Sequence, residues 1–191
     1  MKTFSDELAQ HRDVMARAAQ CSQAVESAAA LLVSAFSRGN KVLLCGNGGS
    51  AADAQHIAAE LVVRYAQKRR ALPAIALTTD SSILTAHAND FEFASVFARQ
   101  IEALGNAGDV LIAISTSGKS QNVLEAVKIA RAKGLQVIGL TGEGGGALAE
   151  LATLTIHVPS TVTARIQETH ILIGHYWCGV VEDSVDVSQF T

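Results

Sequence analysis

Val42-Leu43-Leu44-Cys45-Gly46-Asn47-Gly48-Gly49-Ser50, running on into the helix-like stretch Ala51 to Leu61, decides the fold. A short, continuous apolar run reads as a strand buried on both faces, and the glycine turn hands it directly to a helix. The same rhythm recurs down the chain. Ala74 to Leu77, Val110 to Ile114, Gln136 to Leu140 and Thr153 to Val158 are further short apolar runs, separated by helix-like stretches. This alternation predicts an α/β protein: a three-layer αβα sandwich around a five-stranded parallel sheet, flavodoxin-like in type.

Upstream of this core, Ser5 to Arg38 contains neither proline nor glycine. Apolar residues recur there at three- and four-residue spacings, as in Val25, Ala29, Leu32 and Phe36, which predicts two helices with a break near Gln20 to Ser22. Gly39-Asn40 stops the second of them. After the turn signal Pro159-Ser160, a last helix is expected from Thr163 to Asp183. No linker, charge block or low-complexity tract divides the chain, so one domain is expected over residues 1–191. Its parts are an N-terminal helical segment (1–38) and the α/β core with its C-terminal helix (39–191).

The formal charge is −3, with 17% of the 191 residues charged and 49% hydrophobic. That balance argues against charge-driven binding to nucleic acid or to an anionic membrane surface. A chain so poor in charge and rich in alanine suggests helix faces shared between subunits, the N-terminal helices among them. No run reaches the roughly 18 apolar residues of a membrane span, and the start lacks the pattern of a signal peptide. A cytoplasmic location is therefore expected. Cys21, Cys45 and Cys178 form no CxxC pair and read as small hydrophobes, not as a disulfide framework or a zinc knuckle.

Two loops carry the chemistry. Gly46-Asn47-Gly48-Gly49-Ser50 follows the first strand and Ser115-Thr116-Ser117-Gly118-Lys119-Ser120 follows the third. Both lie at carboxyl ends of strands, where open α/β sheets bind ligands, and both lead into helix N-termini that favour anions. Neither is a Walker motif, and the first lacks the third glycine of a dinucleotide fingerprint. Four hydroxyls in six residues exceed what a turn needs, so a phosphorylated ligand is the natural match. His56 and Glu60, four apart on the next helix, share one face and suit either a metal half-site or a base with its orienter. Arg165, Gln167, Glu168, His170 and His175 interrupt an otherwise apolar C-terminal helix. Spacing alone leaves open whether Gln167 or Glu168 joins a site, and whether the two histidines are functional or buried.

Taken together, CGNGGSAADAQHIAAEL (45–61), LPAIALTTD (72–80), AND (88–90), GDVLIAISTSGKS (108–120) and ARIQETHILIGH (164–175) resemble the bacterial phosphoheptose isomerases, a family with the sugar-isomerase (SIS) fold. The resemblance spans nearly the whole chain. It implies conversion of sedoheptulose 7-phosphate to D-glycero-D-manno-heptose 7-phosphate, the first step towards ADP- or GDP-heptose precursors of lipopolysaccharide and related surface glycans. It also implies that Ser115, Thr116, Ser117 and Ser120 grip the phosphate, that Asn47, Gly48, Gly49, Asn89 and Asp90 hold the sugar chain, and that Ser50, Glu60, Arg64 and Gln167 line the same substrate site. His56, Glu60, Gln167 and His175 are implied as ligands of one divalent ion per subunit, usually zinc, with Glu60 and His175 the catalytic acid–base pair. A homotetramer with active sites at subunit interfaces is implied as well.

Two departures accompany the match. Arg69-Arg70 stands where many relatives have Arg-Pro, and Ala164 stands where some carry aspartate. The first concerns a loop; the second removes a polar contact near the site. The rival readings are a non-catalytic SIS paralogue acting as a tetrameric scaffold for the replication initiator DnaA, an isomerase of another phosphosugar, and a sugar-phosphate-sensing domain. Glu60 and His175 favour the enzyme, because a scaffold needs no acid–base pair.

Overall fold

A computed structural model describes residues 1–184. Helices α1 (Phe4–Ala18) and α2 (Ser22–Ser37) meet at a single 3₁₀ turn over Ala19–Cys21, where the sequence suggested a break. Then follow β1 (Val42–Cys45), α3 (Gly49–Val62), β2 (Ala74–Ala76), α4 (Ser81–Asp90), α5 (Val96–Leu104), β3 (Val110–Ile114), α6 (Gln121–Ala132), β4 (Gln136–Thr141), α7 (Gly146–Leu151), β5 (Leu154–His157) and α8 (Thr163–Asp183). Each strand lies within one residue of the apolar run read from the sequence, α3 starts two residues before Ala51, and α8 spans the expected Thr163–Asp183.

The five strands are all parallel and ordered β2-β1-β3-β4-β5. Alternate residues divide the core into two layers. Leu44, Ile112, Ile138 and Ile156 face α2, α3 and α8 through Leu32, Ile57 and Trp177, while Leu43, Leu111 and Val137 face α5, α6 and α7 through Ile101, Val127 and Leu148. The central strands β1 and β3 are buried along their whole length, as continuous apolar runs require, and the edge strands β2 and β5 are only partly covered. At the amino ends of β1 and β3, the buried carboxylate of Asp109 takes the N–H groups of Lys41 at 3.0 Å and Asn106 at 2.8 Å, together with the Lys41 ammonium.

α2 packs its alanines Ala28, Ala29 and Ala35 into the chain's own core, so these small residues serve packing within the subunit. α1 lies outside the sandwich against α8, capped by a reciprocal Thr3–Asp6 box. The three cysteines are free and buried. Among the described residues, no helix is long and apolar enough to cross a membrane.

Beyond β3 the chain turns at Gly118 with φ +64°, and a Cβ there would lie 1.8 Å from the carbonyl oxygen of Gly145. The hydroxyl-rich loop therefore rests directly on the loop before α7. Gly118→Ala should cost about 2 kcal/mol or more by thermal or urea denaturation, whereas Gly39→Ala, also at positive φ but facing open space, should cost only about 1 kcal/mol.

Candidate active site

The order β2-β1-β3-β4-β5 reverses direction between β1 and β3, and the two loops suspected from the sequence stand on either side of that switch point. A reciprocal amide pair ties them together. Asn47 Nδ2 donates to Asn122 Oδ1 and Asn122 Nδ2 donates to Asn47 Oδ1, both at 2.9 Å. Asn122 is buried in the first turn of α6 and was not among the residues singled out from the sequence. Its signal was weak: one amide just after the hydroxyl-rich loop.

Ser120 sits at the N-cap of α6 yet makes no capping bond. Its hydroxyl instead meets that of the buried Ser115 at 2.9 Å; the Val123 N–H turns back to the Ser120 carbonyl, and the Gln121 and Asn122 N–H groups at the start of a twelve-residue helix are left open to an anion. Thr116 and Ser117 line a pocket of about 320 Å³, which they share with Lys119, Ser160, Thr161 and Thr163. Lys119 adds a cation to this hydroxyl-rich wall and Glu143 an opposing carboxylate, and Thr163 opens α8. Ala164, exposed beside it, supplies no polar group.

In the first loop, Gly48 adopts φ +54° as it starts α3, and Ser50 is buried in the first turn. A Cβ at Gly49 would come within 2.4 Å of the Gln167 amide, so glycine is what lets Gln167 reach this turn. Further along, His56 and Glu60 meet His175. His56 Nε2 lies 3.2 Å from His175 Nε2 and 3.3 Å from Glu60 Oε1. Gln167 stands about 12 Å of helix axis before His175, nearer the glycine loop than the His–Glu–His group. Glu168, the other residue the spacing allowed, is engaged elsewhere, bonding His11 Nδ1 at 2.8 Å and pairing with Arg165.

His56 brings a His175 nitrogen and a Glu60 oxygen to one place, donor types that suit a divalent ion such as zinc, although among the described residues no three of His, Cys, Asp and Glu stand together as a ready ion site. A tetrahedral ion with bonds of about 2.0–2.1 Å to nitrogen holds neighbouring donors about 3.3 Å apart. The two separations at His56, 3.2 and 3.3 Å, match that edge, whereas Gln167 lies apart from them, against Gly49. One turn before His56, the carboxylate of Asp53 has an oxygen without a hydrogen-bond partner. Burial pushes its pKa up to about 6, against the opposing pull of His56.

Not every expected residue joins. Asn89 and Asp90 close α4, exposed and bonded to each other at 2.7 Å, and α4 packs on α5. No hydrogen bond among the described residues links them to either loop. Arg64 lies exposed just past α3, donating only to the nearby Ala66 carbonyl at 3.4 Å.

The SIS domain family matches residues 8–142 of the chain. The phosphoheptose isomerase of Rhodospirillum rubrum is 54% identical over 173 residues, covering 91% of this chain and 92% of that one. The chain belongs to the phosphoheptose isomerase family. The family member of Aliarcobacter butzleri is 52% identical over 176 residues, 92% of this chain and 93% of its own. Among solved structures, the phosphoheptose isomerase GmhA of Neisseria gonorrhoeae superposes with a TM-score of 0.89 at 44% identity, covering 94% of this chain and 96% of that one. The fold described above is thus the family's fold.

His170 stands apart from the site. It is fully buried, its Nε2 donating to the Thr141 carbonyl at 3.2 Å and its Nδ1 unpartnered. Burial drives its pKa down to about 4, only partly offset by the Thr141 bond. Because the folded value lies below the ordinary 6.5, the unfolded chain takes up the proton first, and stability is lost as pH falls from about 6.5 towards 4. Denaturation midpoints measured across that window should show a decline of order 3 kcal/mol for this group. A His170→Gln variant should lose that part of the slope.

Proposed function

We propose that the protein isomerises sedoheptulose 7-phosphate to D-glycero-D-manno-heptose 7-phosphate, supplying heptose precursors for surface glycans. The observation that carries this reading is the meeting of His56, Glu60 and His175 on the α3–α8 seam, about 10 Å along α3 from the glycine loop. That distance suits a phosphosugar gripped at its far end by Ser115, Thr116, Ser117, Ser120 and the start of α6. Asn47, Gly48 and Gly49 then hold the chain between the phosphate and the reacting carbons.

The reaction moves a hydrogen from C1 to C2 through an enediol(ate). Glu60 removes the C1 proton with the carboxylate oxygen that does not face His56. His175 carries a proton between O1 and O2 as the carbonyl shifts, and the proton lost from C1 is replaced at C2. His56, Glu60, Gln167 and His175 would hold the divalent ion, which when bound supplies positive charge to stabilise oxyanions, with Gln167 coming from a neighbouring subunit because within one chain it lies about 12 Å of helix from His175. Because His56 is exposed and Glu60 and His175 only half-buried, the site in one subunit faces solvent. We take the working unit to be a cytoplasmic homotetramer in which a neighbouring subunit closes the site and brings up Asn89, Asp90 and Arg64. The DnaA-scaffold reading has no observation in its favour.

Purified protein should produce the aldose from sedoheptulose 7-phosphate, and Glu60→Gln should lower the rate by about 10² or more. Chelation should abolish turnover and zinc restore it. Wild-type rates for Glu60→Gln would overturn the mechanism, and undiminished turnover after complete chelation would overturn the metal assignment. Sedimentation should report a tetramer.

A further inference from the structure

Glu182, in the last turn of α8, is 1% exposed, yet the chemistry proposed above makes no use of it. Its carboxylate receives three successive backbone N–H groups: Tyr65 at 2.9 Å, Ala66 at 2.7 Å and Gln67 at 2.6 Å. Arg69 Nε stands 3.2 Å from the same carboxylate, and the Arg69 side chain is completely buried. The guanidinium continues to the backbone, with Nη2 donating to the Glu60 carbonyl at 2.6 Å and Nη1 to the Arg70 carbonyl at 3.0 Å. Burial alone would raise the Glu182 carboxyl; the three N–H groups and Arg69 outweigh it and hold the pKa below its ordinary value. The Arg69-Arg70 loop, which looked incidental in the sequence, is therefore anchored by a buried ion pair on its first arginine.

Residues Val62 to Lys68 are exposed, so hydrophobic burial does not place them. The polar nest does. Tyr65, held by its own N–H, turns its ring onto His175, with centroids 5.7 Å apart and planes 28° from parallel. From another side, the His56 ring meets His175 edge-on, with centroids 4.9 Å apart and an interplanar angle of 69°. His175 thus has an aromatic neighbour in each of two directions, and its Nε2 faces His56 Nε2 at 3.2 Å.

We propose that Tyr65 is a positioning residue for His175, and that the Glu182–Arg69 strut keeps Tyr65 and the Glu60 main chain in register with it. The proposal rests on the reading of Glu60 and His175 given under the proposed function. A stacked ring restrains the imidazole rotamer at a half-exposed position from the side that His56 does not cover. Loosening a catalytic group by about an ångström costs on the order of 10²-fold in rate.

The test compares full-length wild type, Tyr65→Ala and Tyr65→Phe, with Glu60→Gln as the reference for the site itself. Tyr65→Ala should lower kcat by about tenfold or more while KM for sedoheptulose 7-phosphate stays within about twofold, and Tm should hold because the ring is partly exposed. Tyr65→Phe keeps the ring and should keep kcat. In proton NMR spectra of the zinc-free protein, the His175 ring signals should move in Tyr65→Ala and stay in Tyr65→Phe. Wild-type kcat and unshifted signals in Tyr65→Ala would overturn the proposal. So would a loss confined to KM, which marks a substrate contact, or an equal loss in Tyr65→Phe, which marks the hydroxyl as the working group. If Glu60→Gln is inactive while Tyr65→Ala matches wild type, only the role of Tyr65 falls; if Glu60→Gln is fully active, the site reading falls and takes this proposal with it.

Discussion

Helices α3 and α8 lie side by side because residue 174 has no side chain. A Cβ at Gly49 would strike the Gln167 amide at 2.4 Å, and one at Gly174 would strike Ile57 Cδ1 at 2.6 Å. With glycine at 174 the helices run in the same direction at close range, burying Ile57 and Leu61 with Ile173 and Trp177 against the sheet. The outward side of that seam then brings His175 to His56 and Glu60, while Gln167 reaches the glycine turn. A bulkier residue at 174 would part the helices and separate His175 from His56 and Glu60, whereas one at 49 would displace the flexible end of Gln167 from the turn.

The sheet supplies the second half of the site. Because β1 and β3 are neighbours, the turns that follow them open side by side, and the Asn47–Asn122 pair fixes their relation with two hydrogen bonds. One turn offers glycine backbone and the other hydroxyls and an uncapped helix start, so an anion and a polyol can be held together without a large positive patch. This agrees with a net charge of −3: the two turns offer oriented N–H dipoles and hydroxyls more than accumulated lysine and arginine.

Much of this was legible in the sequence, and the limits have physical causes. The strand at Val110–Ile114 and the helix at Thr163–Asp183 were readable because a continuous apolar run and a three- to four-residue period are local signals. The two loops were readable because glycine and hydroxyl clusters are local too. Contacts across long separations were not. His56 and His175 are separated by 119 positions, and Glu182 lies 117 from Tyr65. Helical spacing could not choose between Gln167 and Glu168; the structure engages Glu168 with His11 and Arg165 and leaves Gln167 against Gly49. His170 reads like any other histidine in the sequence, and only its burial between α8 and the end of β4 separates it from His175.

The central claim is that a carboxylate on α3 moves a proton between neighbouring carbons of a sugar phosphate. Turning over sedoheptulose 7-phosphate in D₂O and reading the product by NMR tests it most directly. Proton transfer through an enediol(ate) on Glu60 predicts deuterium at C2 of the aldose, rising with repeated turnover as the Glu60 proton exchanges with solvent. An aldose that stays free of deuterium at C2 through many reversible turnovers would contradict the account, since a hydride shift never hands the hydrogen to an exchanging base.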